Sequence, residues 1–373
     1  MYKIEKRSSH MQLKKETMPF SKLIIIYILW LLGAVLAGGL FEVYFFNLGM
    51  SLQEIYLADV AWFIAGFAIA PLFNGFNARN SMAIGILIMI CASSILYFFP
   101  LYSAAYAYRI IIGFTHLFFW IPFNVLFYEF RKNNNATLGS LYYAITPLVS
   151  LIIPVISGFA ATIYGFQALY LMATVVFVIC LWMVMKSIAD KRYEFTFINS
   201  IKSLSGLRTI IFFEGFSGNT IMSVTIVIML MNYVNKPFEF GIFISLATVF
   251  SIIAAFILSK NSDKIKKRTV FIIPIIICFV LSAVLASWAT DIAIFFLGFG
   301  LLTLFGRLFF PLNLALVVDN AHSLPEAMAG REFMLNLGRF TSAIIGYYIF
   351  TISNNDILPA LKGCLVRRGN IAL

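Results

Sequence analysis

The sequence predicts an all-α polytopic membrane protein, with about eleven transmembrane helices in two pseudo-symmetric bundles of six and five. Three observations carry this expectation. Of the 373 residues, 61% are hydrophobic and 12% charged, at a mean hydropathy of +0.94, which leaves too little charge to cover a soluble globule. The apolar runs are long enough to cross a bilayer, end in charge or in Pro/Gly/Asn clusters, and lack the alternation of barrel strands. Finally, Ser259 to Arg268, with five cations and one carboxylate, lies between two such runs, and Pro71 to Asn80 holds the same place about 190 residues earlier.

Taken in order, residues 1–22 form a basic tail, and apolar length places helices near 23–47, 57–75, 81–99, 103–129, 137–163 and 167–186. The first run is too long for a signal-peptide core and lacks a small-x-small cleavage site, so it reads as a retained helix. A polar loop, 187–208, with Lys191, Arg192, Lys202 and Arg208, separates the halves. Helices follow near 209–233, 239–259, 269–288, 292–317 and 327–352. The tail 353–373 is too polar and short for a twelfth span, and reads as a truncated or altered end.

Lysine and arginine set the orientation. Lys3, Lys6, Arg7, Lys14, Lys15, Lys22, Arg79, Arg131, Lys132, the central-loop cations and the 259–268 cluster share one side, against Lys236 on the other. This predicts a multi-pass protein of the cell membrane with a cytoplasmic N-terminus. The formal charge of +11 sits in these short clusters, so it serves orientation in the lipid bilayer rather than nucleic-acid binding. Cys91, Cys180 and Cys278 lie inside apolar runs without metal-type spacing, and read as packing residues; no cofactor and no metal are expected.

Charge inside a membrane is costly, so it marks candidate sites. Arg109, Gly113, His116 and Trp120 are spaced by four, three and four on one face of the fourth helix, a face expected to look into the bundle. At ~1.5 Å per residue Arg109 and Glu42 share a depth, which makes them a candidate pair. Glu214 and Arg307 are the counterpart in the second half, with Asn219 a further polar position on the seventh helix. Glu332, Asn336, Arg339 and Ser342 share a face of the eleventh. Each charge is either a structural ion pair or a contact for substrate or coupling ion. Glu42 and His116 are the proton candidates, the first through its changing distance to Arg109, the second through its ordinary titration near neutrality. The arginines favour an anionic or zwitterionic solute. Pro147, Pro154 and Gly158 lie in a small-residue helix that serves either tight packing or a gate hinge.

Several local patterns carry a resemblance. Ser262, Asp263, Lys264, Lys267 and Arg268 match by type the hairpin signature Gly-x-Leu-Ser-Asp-Arg-x-Gly-Arg-Arg, while the first-half hairpin keeps Arg79 and Ala78, with Gly75 where an acid is expected. Arg109 and Gly113 match an Arg-x-x-x-Gly pattern, Ile153 to Gly158 partly matches Gly-Pro-x-x-Gly-Gly, and Tyr164 to Gln167 is similar to a Gly-Trp-Arg turn. In this order the motifs resemble the major facilitator superfamily, with the twelfth helix missing. The resemblance implies two bundles around a central cavity, and secondary active transport of a small-molecule substrate by alternating access, coupled to protons or another ion, by a monomer that is not an enzyme. It also implies an inner-face charge latch, which Gly75 weakens in the first half. Two other readings stand beside it: a remnant that no longer transports, and an intramembrane serine protease. The latter rests on Gly215-Phe216-Ser217-Gly218, which resembles the Gly-x-Ser-Gly of rhomboid-type enzymes, but its histidine would have to be His322, in a predicted cytoplasmic loop.

Overall fold

Runs of Ile, Leu, Phe and Val offer no polar group to solvent, so in hydrocarbon the backbone must satisfy its own hydrogen bonds, and a helix does so within one segment. The computed structural model describes residues 20–130, 135–218, 236–261, 269–289 and 291–366, and these are almost wholly helical. The first half comprises α1 (Phe20–Gly38), α2 (Phe41–Asn47), α3 (Leu52–Ala68), α4 (Ala78–Phe98), α5 (Tyr102–Gly113), α6 (Ile121–Glu129), α7 (Asn135–Tyr164) and α8 (Phe166–Ser187). A short α9 (Phe197–Ser203) leads into the second half: α10 (208–218), α11 (Pro237–Asn261), α12 (Thr269–Ser287), α13 (Ile292–Asp319) and α14 (Leu324–Val366). Among the described residues, eight helical stretches are long and apolar enough to cross a membrane. The polar α14, with Arg331, Glu332, Asn336 and Arg339, is not one of them.

Three expected helices differ in detail. The run 23–47 is broken at Gly39 and Leu40 into α1 and α2. The run 103–129 is interrupted by a π-helical turn, His116–Trp120, just before Pro122. Proline has no N–H for the carbonyl four residues back and its ring crowds that group, so the ladder widens there, a feature common at functional sites. The last helix runs past 352 to Val366.

Within the first half α8 packs on α1 and α4, and α3 packs on α5; within the second, α13 packs on α11 and α12. The halves meet along α7 with α11 and along α3 with α14. At the first of these seams the backbones nearly touch. A Cβ on Gly158 would stand 2.5 Å from the Pro237 carbonyl oxygen, and one on Gly241 2.2 Å from that of Pro154. Pro147 and Pro154 are buried in an α7 that continues through them.

At the predicted inner face the loop between the halves is strapped down. β1 (Gly75–Asn77) pairs antiparallel with β2 (Arg192–Glu194), Phe76 opposite Tyr193. Both rings are buried, with centroids 4.9 Å apart. Arg79 Nη2 lies 2.8 Å from Asp190 Oδ2, and Asn77 also donates to Asp190. Glu129, at the end of α6, accepts from Lys191 Nζ at 2.6 Å and from the Tyr193 hydroxyl at 2.7 Å. Burial, then the Glu129 carboxylate, hold the Tyr193 phenol well above its ordinary titration range, so it remains a donor. Gly75 is thus a strand residue at φ +134°, and Arg79 finds its acid in the central loop.

Arg79 and Asp190 are 31% and 52% exposed in their side chains, so their pair contributes less than ~1 kcal/mol. A Cβ on Gly75 would sit 2.6 Å from the Tyr193 carbonyl oxygen, in a backbone conformation that side chains disfavour. Gly75→Val is therefore expected to cost ~1–3 kcal/mol, clearly more than Asp190→Asn, in thermal unfolding of the detergent-solubilised protein. Equal losses would mean that the ion pair, not the ribbon, holds the strap.

Candidate functional site

Ionised groups at membrane depth need partners, and among the described residues most of them gather into two clusters. The first lies inside the first half. Arg109 on α5 places Nη2 3.0 Å from Glu42 Oε1 on α2 and Nε 3.0 Å from Asp59 Oδ1 on α3. The latter is a charge contact without hydrogen-bond alignment. The guanidinium carbon also lies 3.8 Å from the Phe41 ring centroid and 4.6 Å from that of Trp62. Two carboxylates thus share one cation.

The second cluster crosses from one half to the other. Glu214 on α10 accepts from Arg331 Nη2 at 2.5 Å and from the Asn313 side-chain amide. Arg331 Nη1 is also 3.5 Å from Glu332 Oε1. From the first half, His116 brings Nδ1 to 3.7 Å from Glu332 Oε2 and 3.4 Å from Arg339 Nη1. Arg339 Nη1 donates to Asn336 Oδ1 at 3.0 Å and stays 3.9 Å from Glu332. The His116 ring is stacked on Trp62, with centroids 5.8 Å apart. Its two protonation states need opposite partners: neutral Nδ1 accepts from Arg339, whereas a protonated ring has only donors and must turn to Glu332.

These groups face a cavity of about 410 Å³ between the halves. His116, Trp120, Glu214, Arg331, Glu332 and Arg339 line it, together with Tyr27, Trp62, Tyr142 and Phe310. The Tyr27 hydroxyl is tied to Thr146 Oγ1 at 3.1 Å, which links α1 to α7 at the wall. An aromatic cavity with a few convergent charges is the usual form of a small-molecule site.

A family model described as Major Facilitator Superfamily matches residues 208–355. No curated protein is recognisably similar in sequence. Among solved structures, the chain is similar to the human organic anion transporter MFSD10 (TETRAN), with a TM-score of 0.68 and 11% identity over 89% of this chain and 94% of that one. It is also similar to an outward-facing bacterial homologue of the iron transporter ferroportin, with a TM-score of 0.67 and 16% identity over 89% and 92% of the two chains. The Escherichia coli fucose:proton symporter FucP gives a TM-score of 0.66 and 12% identity over 90% and 92%. The fold is that of the major facilitator superfamily.

On this major facilitator fold the expected site residues divide. Glu42 and Arg109 meet, but both stand apart from the cavity lining, whereas His116 and Trp120 belong to it. The face expected to carry all of these, with Gly113, is split. Gly113 packs against α3, where a Cβ would stand 2.4 Å from the Trp62 carbonyl oxygen, and the π-turn then shifts register by one residue before Trp120. The expected Glu214 to Arg307 pair is replaced, since the ion-pair partner of Glu214 is Arg331 on α14. The reason is the close approach of α10 to α14, where a Cβ on Gly215 would stand 2.1 Å from the Leu335 carbonyl oxygen. Arg307 is half-buried on α13 and is not among the lining residues. Glu332 and Arg339 line the cavity, and Asn336 is wholly buried behind them.

Asn219, Asp263, Lys264, Lys267 and Arg268 lie outside the described residues. Ser217 donates to the Phe213 carbonyl at 2.6 Å, a helix back-bond rather than a bond to histidine, while His322 is exposed in the turn before α14. Sequence reasoning missed Asp59, Arg331, Asp190 and Glu129. Asp59 lies near the start of the helix expected at 57–75 and Arg331 sits directly beside Glu332; a lone acid in an apolar run was a usable signal for the first.

Removing Arg109 would leave Glu42 and Asp59 facing each other without a cation. Arg109→Gln is expected to cost ~3–5 kcal/mol in thermal unfolding, and combining it with Glu42→Gln and Asp59→Asn should restore most of the loss. A triple variant no more stable than Arg109→Gln would refute the triad as an electrostatic unit.

Proposed function

We propose that the chain is a secondary active transporter that moves a small solute across the cell membrane by alternating access, as a monomer with its N-terminus in the cytoplasm and a proton as coupling ion. The observation that carries the reading is the contact of His116 with Glu332 and Arg339. It joins the two halves at the cavity wall, so any rocking of one half against the other must break it. A buried charge left without a partner costs several kcal/mol, so the break has to be compensated by solute, by proton or by both. Protonation moves His116 from Arg339 to Glu332, and this ties proton occupancy to which residues bridge the halves. The one-sided distribution of lysine and arginine supports the orientation.

A second proton site is favoured by the two carboxylates on Arg109, which leave one negative charge unless Glu42 or Asp59 carries a proton. That cluster lies within one half, so rocking need not disturb it. Proteoliposome flux under an imposed pH gradient separates the two. His116→Gln and Glu332→Gln are expected to abolish gradient-driven accumulation while leaving solute exchange within roughly ten-fold of the parent. Loss of gradient-driven flux in Glu42→Gln, with His116→Gln unaffected, would place the proton at the triad instead. Flux in neither direction for the folded parent protein would reject transport.

A further inference from the structure

We infer that the cavity takes a small organic anion, a carboxylate on an apolar or aromatic body, held by the open edge of Arg339. The inference rests on the transporter reading only in taking this cavity as the solute's site.

The charged groups around the cavity are unevenly held. Glu214 is held by Arg331 at 2.5 Å and by Asn313, and is buried. Glu332, also buried, stands among Arg331, His116 and Arg339. Neither carboxylate is left to receive a cationic solute. Arg339 is different. Among the described residues its Nη1 makes the polar contacts, to Asn336, His116 and, at 3.9 Å, Glu332. That last distance is too long for a hydrogen bond. Nε and Nη2 of the same guanidinium have no hydrogen-bond partner among the described residues, and the side chain, 27% exposed, lines the cavity. An arginine at a cavity wall that is held through one nitrogen keeps further donors for bidentate capture of a carboxylate.

The remaining wall selects the body of the solute. Trp62, Trp120, Tyr142 and Phe310 present ring surface, and about 410 Å³ suits a small molecule rather than a peptide or lipid. Such rings would sit against an apolar group while Arg339 fixes the anionic end. A sugar-like solute would need many hydrogen-bond partners, and the charged groups opposite Arg339 are already engaged with one another.

The test uses the purified full chain in detergent, with 3-phenylpropionate, its amide and 2-phenylethylamine compared by calorimetric titration at neutral pH. The expected result is binding of the carboxylate, with the amide weaker by roughly ten-fold or more and the amine not bound. In Arg339→Gln the carboxylate should fall to the affinity of the amide, while Arg339→Lys keeps part of the preference. A purely structural role for Arg339 would lower stability without erasing that preference. If Arg339→Gln fails to fold, the series on the parent protein still decides. Equal binding of acid and amide, preference for the amine, no binding of any of the three, or undiminished selectivity in Arg339→Gln overturns the inference. Carboxylate-selective binding without flux in proteoliposomes would retain it and reject the transporter reading. Flux of neutral solutes without carboxylate preference would do the reverse.

Discussion

An ionised side chain cannot be left alone at membrane depth, and the arrangement of this molecule follows from that constraint. Among the described residues, the charges brought together at membrane depth form two groups with different mechanical consequences. Glu42, Asp59 and Arg109 come from α2, α3 and α5, all within one half, so they act as a rivet. Glu214, Arg331, Glu332, Arg339 and His116 come from both halves, so part of their contact energy is tied to how the halves sit. The first group makes a bundle rigid. The second makes the relation between bundles depend on what occupies the space among them.

The packing gives this distinction its leverage. Where the halves meet through α7 and α11, glycines let backbones approach to the limit of contact, so the seam has little freedom to deform gradually. Where the cavity lies, large rings replace small residues and space remains. Close seams with an open centre favour movement of whole bundles over small local adjustments. The π-turn at His116 lies on this boundary and aims His116 and Trp120 at the cavity, while Arg109, on the same expected helix face, points into the bundle.

The strap solves a different problem. The first-half hairpin lacks an acid at Gly75, and a two-stranded ribbon with the central loop takes its place. The same loop continues into α9, which packs against α14: a Cβ on Gly330 would stand 2.2 Å from the Ser200 carbonyl oxygen. The connection between halves is therefore itself a packed element that touches both, not a passive tether.

Membrane class, helical fold and the places of most helices were determined by the sequence alone, because bilayer thickness imposes a length and hydrocarbon forbids unpaired backbone. The Glu42 and Arg109 contact was legible too, since depth along a helix is proportional to residue count. Rotation about the helix axis and the choice among partners at one depth were not. Glu214 could reach Arg307 or Arg331 by depth, and only the close approach of α10 to α14 selects Arg331. Asp59, Asp190 and Glu129 gained their roles in the same way, from helices and loops distant in sequence that tertiary packing brings within 3 Å or so of a cation. Spacing along a chain sets which residues share a height. It takes the folded neighbours to decide which of them share a charge.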